Sequence, residues 1–75
     1  MDYKEFIASD ANIMLGKPIV KGTRIPVALV LQKLSEGAMI QDLLSAYPGL
    51  TYMSISAVLA YAFDAVANGN IISST

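Results

Sequence analysis

The sequence predicts a mainly α fold, a three-helix helix-turn-helix bundle entered through a short β-structured N-terminal arm. Three observations lead there. From Pro26 onward apolar residues recur at the helical period of about 3.6 residues. Glycine and proline cut that periodic stretch at Gly37, at Pro48-Gly49 and at Gly69. Before Pro26 the chain carries only short β-branched runs separated by turn-forming residues. A chain of 75 residues has room for a single core. Residues 1–75 are therefore read as one domain, with the arm over 1–25, the helix-turn-helix over 26–68 and a tail over 69–75.

Within the arm, Phe6-Ile7-Ala8 reads as a short strand and Ser9-Asp10-Ala11-Asn12 as the turn after it. Gly16-Lys17-Pro18 interrupts the chain again. Ile19-Val20 and Thr23-Arg24-Ile25 then flank Lys21-Gly22, the expected tight turn between two β segments. Lys-Gly is a weaker hairpin signal than Asn-Gly, because only the glycine takes positive φ freely. A closed hairpin and an arm extended to a second subunit are both open at this point. Pro18 lacks an N–H, which places its strand at an edge.

Pro26 suits the first position of the first helix, where a missing N–H costs nothing. Val27, Val30, Leu31 and Leu34 share one face, and Gly37 supplies the stop. The second helix sets Ile40, Leu43, Leu44 and Tyr47 on one face and ends at Pro48-Gly49. Its start, Ala38-Met39, offers no capping oxygen. Thr51 is a good N-cap for a third helix running to about Asn68, with Gly69 as its stop. Ser54 stands where a capping box would carry Glu or Asp, so the box is expected to be defective. Ile55, Val58, Leu59, Ala62 and Val66 form the expected core stripe of this helix. Tyr52, Met53, Ala57, Ala60, Tyr61, Phe63, Ala65 and Ala67 leave little polar surface on the remainder. A helix apolar nearly all round is buried on more than one side. One side is therefore expected against another chain, with Ala57, Tyr61 and Phe63 as the interface candidates. In the tail, Ile71-Ile72 are the residues that would pack back or add a strand.

Composition bears on partners. Hydrophobic residues make up 55% of the chain and charged ones 15%, against a usual charged share of about 25%. A domain this small buries only about 60% of the surface its unfolded chain exposes. The apolar excess predicts a second buried surface, most simply a homodimer interface. With neither cysteine nor histidine, disulfides, zinc, haem and thiol chemistry are set aside, and no cofactor or metal is expected. No enzyme is expected either. The acids Asp2, Glu5, Asp10, Glu36, Asp42 and Asp64 are scattered along the chain, and no histidine activates a serine. A net charge of −1 gives no global attraction to nucleic acid or to acidic membranes. No uninterrupted stretch reaches the roughly 20 apolar residues of a membrane span, and residues 1–15 lack the pattern of a signal peptide. The expectation is a cytoplasmic protein with no membrane contact.

Two short helices joined by a glycine turn, then a longer helix after Pro48-Gly49-Leu50-Thr51, is the layout of a helix-turn-helix. The wording is more specific. Gly16-Lys17-Pro18-Ile19-Val20-Lys21-Gly22-Thr23-Arg24-Ile25-Pro26-Val27 resembles the signature of domain-of-unknown-function family 433. So do Glu36-Gly37, Leu43-Leu44…Tyr47-Pro48, Leu50-Thr51 and Ile55…Ala57…Leu59-Ala60-Tyr61-Ala62. The resemblance implies a homeodomain-like, mostly helical fold with a β-structured arm, often dimeric. It also implies an antitoxin-like role beside a PIN-like nuclease toxin, with double-stranded operator DNA as a further partner. The alternative is a protein-interaction or structural module without DNA binding, since a fold does not by itself establish a function.

A DNA role would rest on few residues. The third helix offers no Arg, Lys, Gln or exposed Asn near its start to pair with base edges. Ser54 is the polar candidate there. Lys17, Lys21 and Arg24 in the arm and Lys33 on the first helix are the candidates for contacts to phosphates or a minor groove. Lys17 and Lys21 read equally well as solvated turn residues. Arg24 has two further readings, an ion pair with Asp10 or Glu5 and a scaffold role on backbone carbonyls.

Overall fold

The arm is built on two short strands, β1 (Ile7–Ala8) and β2 (Ile19–Val20), in a computed structural model that describes residues 2–69. They pair antiparallel, Ile7 opposite Val20 and Ala8 opposite Ile19. The return expected around Lys21-Gly22 is kept only as an antiparallel bridge between Ile19 and Pro26, Thr23-Arg24-Ile25 forms no strand, and the two-stranded pairing of β2 is with the N-terminal strand. The tight turn itself is present. Thr23 N–H donates to the Val20 carbonyl at 3.0 Å, and Gly22 takes a φ of +84°, which a side chain would resist. The chain then returns along the other edge of β2, where Val20 N–H donates to the Ile25 carbonyl at 2.9 Å. The arm closes on its own chain.

Between the strands, Asp10 caps its own turn by accepting from Asn12 N–H at 2.8 Å. Leu15 follows with a φ of +58° and a side chain 92% exposed. A bulky residue in the left-handed region is strained, and no packing holds it there.

Helix α1 spans Val27–Ser35, α2 Ile40–Ala46 and α3 Tyr52–Asn68. Pro26 is the N-cap of α1, one position earlier than expected. The first helical N–H, that of Val27, donates to the Pro18 carbonyl at 3.0 Å, so the arm satisfies a group that Pro26 has no side chain to cap. The end of α1 is a complete Schellman motif. Ala38 N–H donates to the Lys33 carbonyl at 3.0 Å, Gly37 N–H to the Leu34 carbonyl at 3.1 Å, and Gly37 has a φ of +99°. At α2, Asp42 accepts from the Met39 N–H at 2.9 Å, while Met39 has no oxygen to return the bond.

The core gathers Val20 from the arm, Val27 and Val30 from α1, Leu43 from α2, Leu50 from the turn, and Ile55 and Val58 from α3. Ile7, Ile25, Leu34, Tyr47 and Tyr61 pack against it. The fold is therefore a mainly helical small domain of three helices with a short two-stranded N-terminal hairpin. The stripe expected on α3 is only half correct. Ile55 and Val58 are fully buried, but Leu59 is 44% and Val66 70% exposed, and their places inside are taken by Ser54 and Ala57. No helix among the described residues is long and apolar enough to cross a membrane. Of the tail, Gly69 caps α3, and Ile71-Ile72 lie outside the described residues.

Candidate functional site at the start and outer face of α3

Thr51 and Ser54 form a full capping box, so the defect expected from the sequence is absent. Ser54 N–H donates to Thr51 Oγ1 at 3.0 Å, and Thr51 N–H donates to Ser54 Oγ at 2.8 Å. The Ser54 hydroxyl then donates to the Thr51 carbonyl at 2.9 Å. A hydroxyl suffices at this position because Ser54 is buried directly under the cap, 4% exposed. A side chain so enclosed and so fully bonded has nothing to offer a DNA base, which removes Ser54 from the candidates. The start of α3 instead presents Tyr52 and Met53, 62% and 54% exposed.

The three interface candidates separate. Ala57 is 0% exposed within its own chain, so it is a core residue and no interface residue. Tyr61 is half-buried against the core, its ring meeting Tyr3 edge to face at 5.4 Å between centroids. Only Phe63, 72% exposed, stands on the surface. Tyr3 lies in a 3-10 turn, Tyr3–Glu5, that is tied to α3 by the Tyr3 hydroxyl donating to Asp64 Oδ2 at 2.7 Å. That bond raises the Tyr3 phenol above its ordinary pKa, with desolvation and the Asp64 charge adding to the effect. The link between residues 3 and 64 has no local sequence signal. Only an acid on an otherwise uncharged helix hinted that something reached it.

The cations are dispersed. Lys17 precedes β2, Lys21 and Arg24 lie in the turn beyond it, and all three are exposed. Lys21 Nζ donates to the Lys4 carbonyl at 3.0 Å, bracing the N-terminal turn. The acids proposed as partners of Arg24 do not engage it among the described residues, and Asp10 serves its own turn. Lys33 is half-buried on α1.

The feature that reasoning from sequence missed is an open apolar cleft of about 460 Å³ lined by Leu34, Ala38, Met39, Ile40, Gln41 and Tyr52. It lies where the end of α1, the start of α2 and the start of α3 meet. Met39, the residue without a capping oxygen, is 61% exposed at its rim. Among the described residues no three acids group to hold a metal ion.

Comparison with known proteins places this geometry. The chain is 34% identical over 59 residues to the uncharacterized protein y4eO of Sinorhizobium fredii (strain NBRC 101917 / NGR234), covering 79% of this chain and 27% of that one. It is also similar to the crystal structure of a DUF433 member protein from Anabaena variabilis ATCC 29413, at 32% identity and a TM-score of 0.72. That match covers 83% of this chain and 58% of the other, so this chain spans less than two thirds of both relatives. The model of the family described as protein of unknown function (DUF433) matches residues 7–62, and the chain belongs to that family.

Proposed function

We propose that this chain is a protein-binding module of antitoxin type, which holds a PIN-like nuclease through the cleft between α1, α2 and the start of α3. The observation that carries the reading is the character of that end of α3. A helix that reads DNA presents polar, base-pairing side chains there, whereas this one presents Tyr52 and Met53 beside an apolar cleft. Exposed aromatic and methionine side chains around a concave apolar surface are the usual anchors of a protein interface. The nuclease partner comes from the family resemblance. A second reading, weak phosphate contact by the exposed Lys17, Lys21 and Arg24, is compatible with it and carries no sequence preference.

The test is co-expression with a PIN-like nuclease encoded in the adjoining reading frame. The expected result is a stable complex with suppressed nuclease activity, lost in Met39→Glu, a substitution at an exposed position of the cleft, with circular dichroism checking that the variant keeps its helices. A nuclease that is neither bound nor inhibited would overturn the reading.

A further inference from the structure

We propose that the outer face of α3 seats a second copy of this chain, the two α3 helices packing antiparallel across a two-fold axis near the turn from Leu59 to Phe63. This goes beyond the partner-binding reading, which uses the cleft; the two surfaces share only Tyr52. Composition alone predicted a second buried surface; the structure assigns it a place.

The spacing is the first argument. Tyr52, Ser56, Leu59, Phe63 and Val66 are separated by four, three, four and three residues, the alternation of a coiled-coil seam. All five are exposed, with Phe63 at 72% and Val66 at 70%. The residues flanking the seam toward its C-terminal half are Ala60, Ala62 and Ala67. Small flanks let two helices approach closely, and the seam fits a second helix at a shallow crossing angle of about 20°.

Charge is the second. The only charged residue of α3 is Asp64, which lies off the seam and is held by Tyr3. A face without charge meets its own copy with no like-charge repulsion, and it gives a charged partner nothing to pair with. Size complementarity fixes the direction. A parallel pair would set Phe63 against Phe63 and leave Ser56 facing Ser56. An antiparallel pair sets Leu59 against Phe63 and the small Ser56 against the distal half of the other helix, which fills space evenly. It also opposes the two helix dipoles.

Area is the third. Taking about 150–250 Å² for a whole aromatic side chain and less for the aliphatic ones, the exposed fractions of Tyr52, Leu59, Phe63 and Val66 leave on the order of 350–500 Å² of apolar surface uncovered. That is close to the largest patch a monomer ordinarily shows. Two such faces with their alanine flanks bury about 1,000 Å², the area a specific interface has to reach.

Sedimentation equilibrium tests this directly. The wild type is expected to be dimeric at micromolar concentration. Phe63→Glu and Leu59→Glu should each weaken association at least 100-fold while circular dichroism shows unchanged helix, and Ser45→Glu on the exposed side of α2 should remain dimeric. Because the chain has no cysteine, mixing Leu59→Cys with Phe63→Cys chains under oxidation should give a mixed disulfide dimer. A wild type that stays monomeric at 100 µM, or a dimer that persists in both glutamate variants without any mixed disulfide, would overturn the proposal.

Discussion

Replacing Ser54 by glutamate tests how α3 starts. On sequence grounds glutamate is the better residue three positions after an N-cap, because it completes the box and complements the helix dipole, together worth about 0.5–1 kcal/mol. The structure reverses that expectation. Ser54 is 4% exposed, and its hydroxyl both accepts from the Thr51 N–H and donates to the Thr51 carbonyl. Glutamate must either press a longer side chain into the core or swing outward and abandon these bonds. Two lost hydrogen bonds at about 1 kcal/mol each, with crowding of about 1–3 kcal/mol, put the destabilisation of Ser54→Glu at about 3–5 kcal/mol. Ser54→Ala keeps the volume and loses only the bonds, about 1–2 kcal/mol. In a domain of this size each kcal/mol moves the melting temperature by about 4–8 °C, so the three proteins separate clearly. The assay is urea unfolding followed by far-ultraviolet circular dichroism. Protein concentration is held constant because association adds to apparent stability. A glutamate variant as stable as wild type would refute the buried box.

Three further outcomes follow from local geometry. Gly37→Ala should cost about 1 kcal/mol, since Gly37 sits at φ +99° while an added Cβ meets nothing within 4 Å; urea midpoints check it. Leu15→Gly should do the opposite and stabilise by about 0.5–1 kcal/mol, because the leucine is strained yet 92% exposed. The Tyr3 bond to Asp64 should persist at neutral pH and be lost as pH rises through the raised phenol pKa, above the ordinary value of 10.0. Its sign is that of an acid favoured in its protonated form, so its stabilisation is fully present below the unfolded pKa. Hydrogen exchange in residues 3–8 should quicken there in wild type and already at neutral pH in Tyr3→Phe.

Local rules carried most of the helical region. The stops at Gly37 and Gly69 and the Thr51 cap need only nearby residues, and each element formed where those residues required it. The arm was harder. β2 takes a neighbour on each edge, Ile7 opposite Val20 on one and the Ile25 carbonyl accepting from Val20 N–H on the other, and only the second follows from the local turn at Gly22. On α3 the inward face was misassigned because a helix apolar all round has no amphipathic signal to orient it. Two small residues, Ser54 and Ala57, proved to be the inward ones on a helix that both the arm and α1 pack against. Among the site residues, Lys17, Lys21 and Arg24 are exposed and Lys33 is half-buried, while Ser54 and Ala57 could be seen as core only once the packing was known. The cleft was invisible because its lining comes from three helices.

The claim that most needs testing is that the start of α3 is a protein-binding surface and not a base-reading one. Its most direct test is a nuclear magnetic resonance titration of the isotopically labelled chain with a duplex from its own upstream region and with a scrambled duplex, at physiological salt. The account predicts that the amides of Tyr52, Met53 and Ser56 stay unmoved, with at most small shifts over Lys17 to Arg24 that are the same for both duplexes. Large shifts at Tyr52, Met53 and Ser56 seen only with the upstream duplex would contradict it.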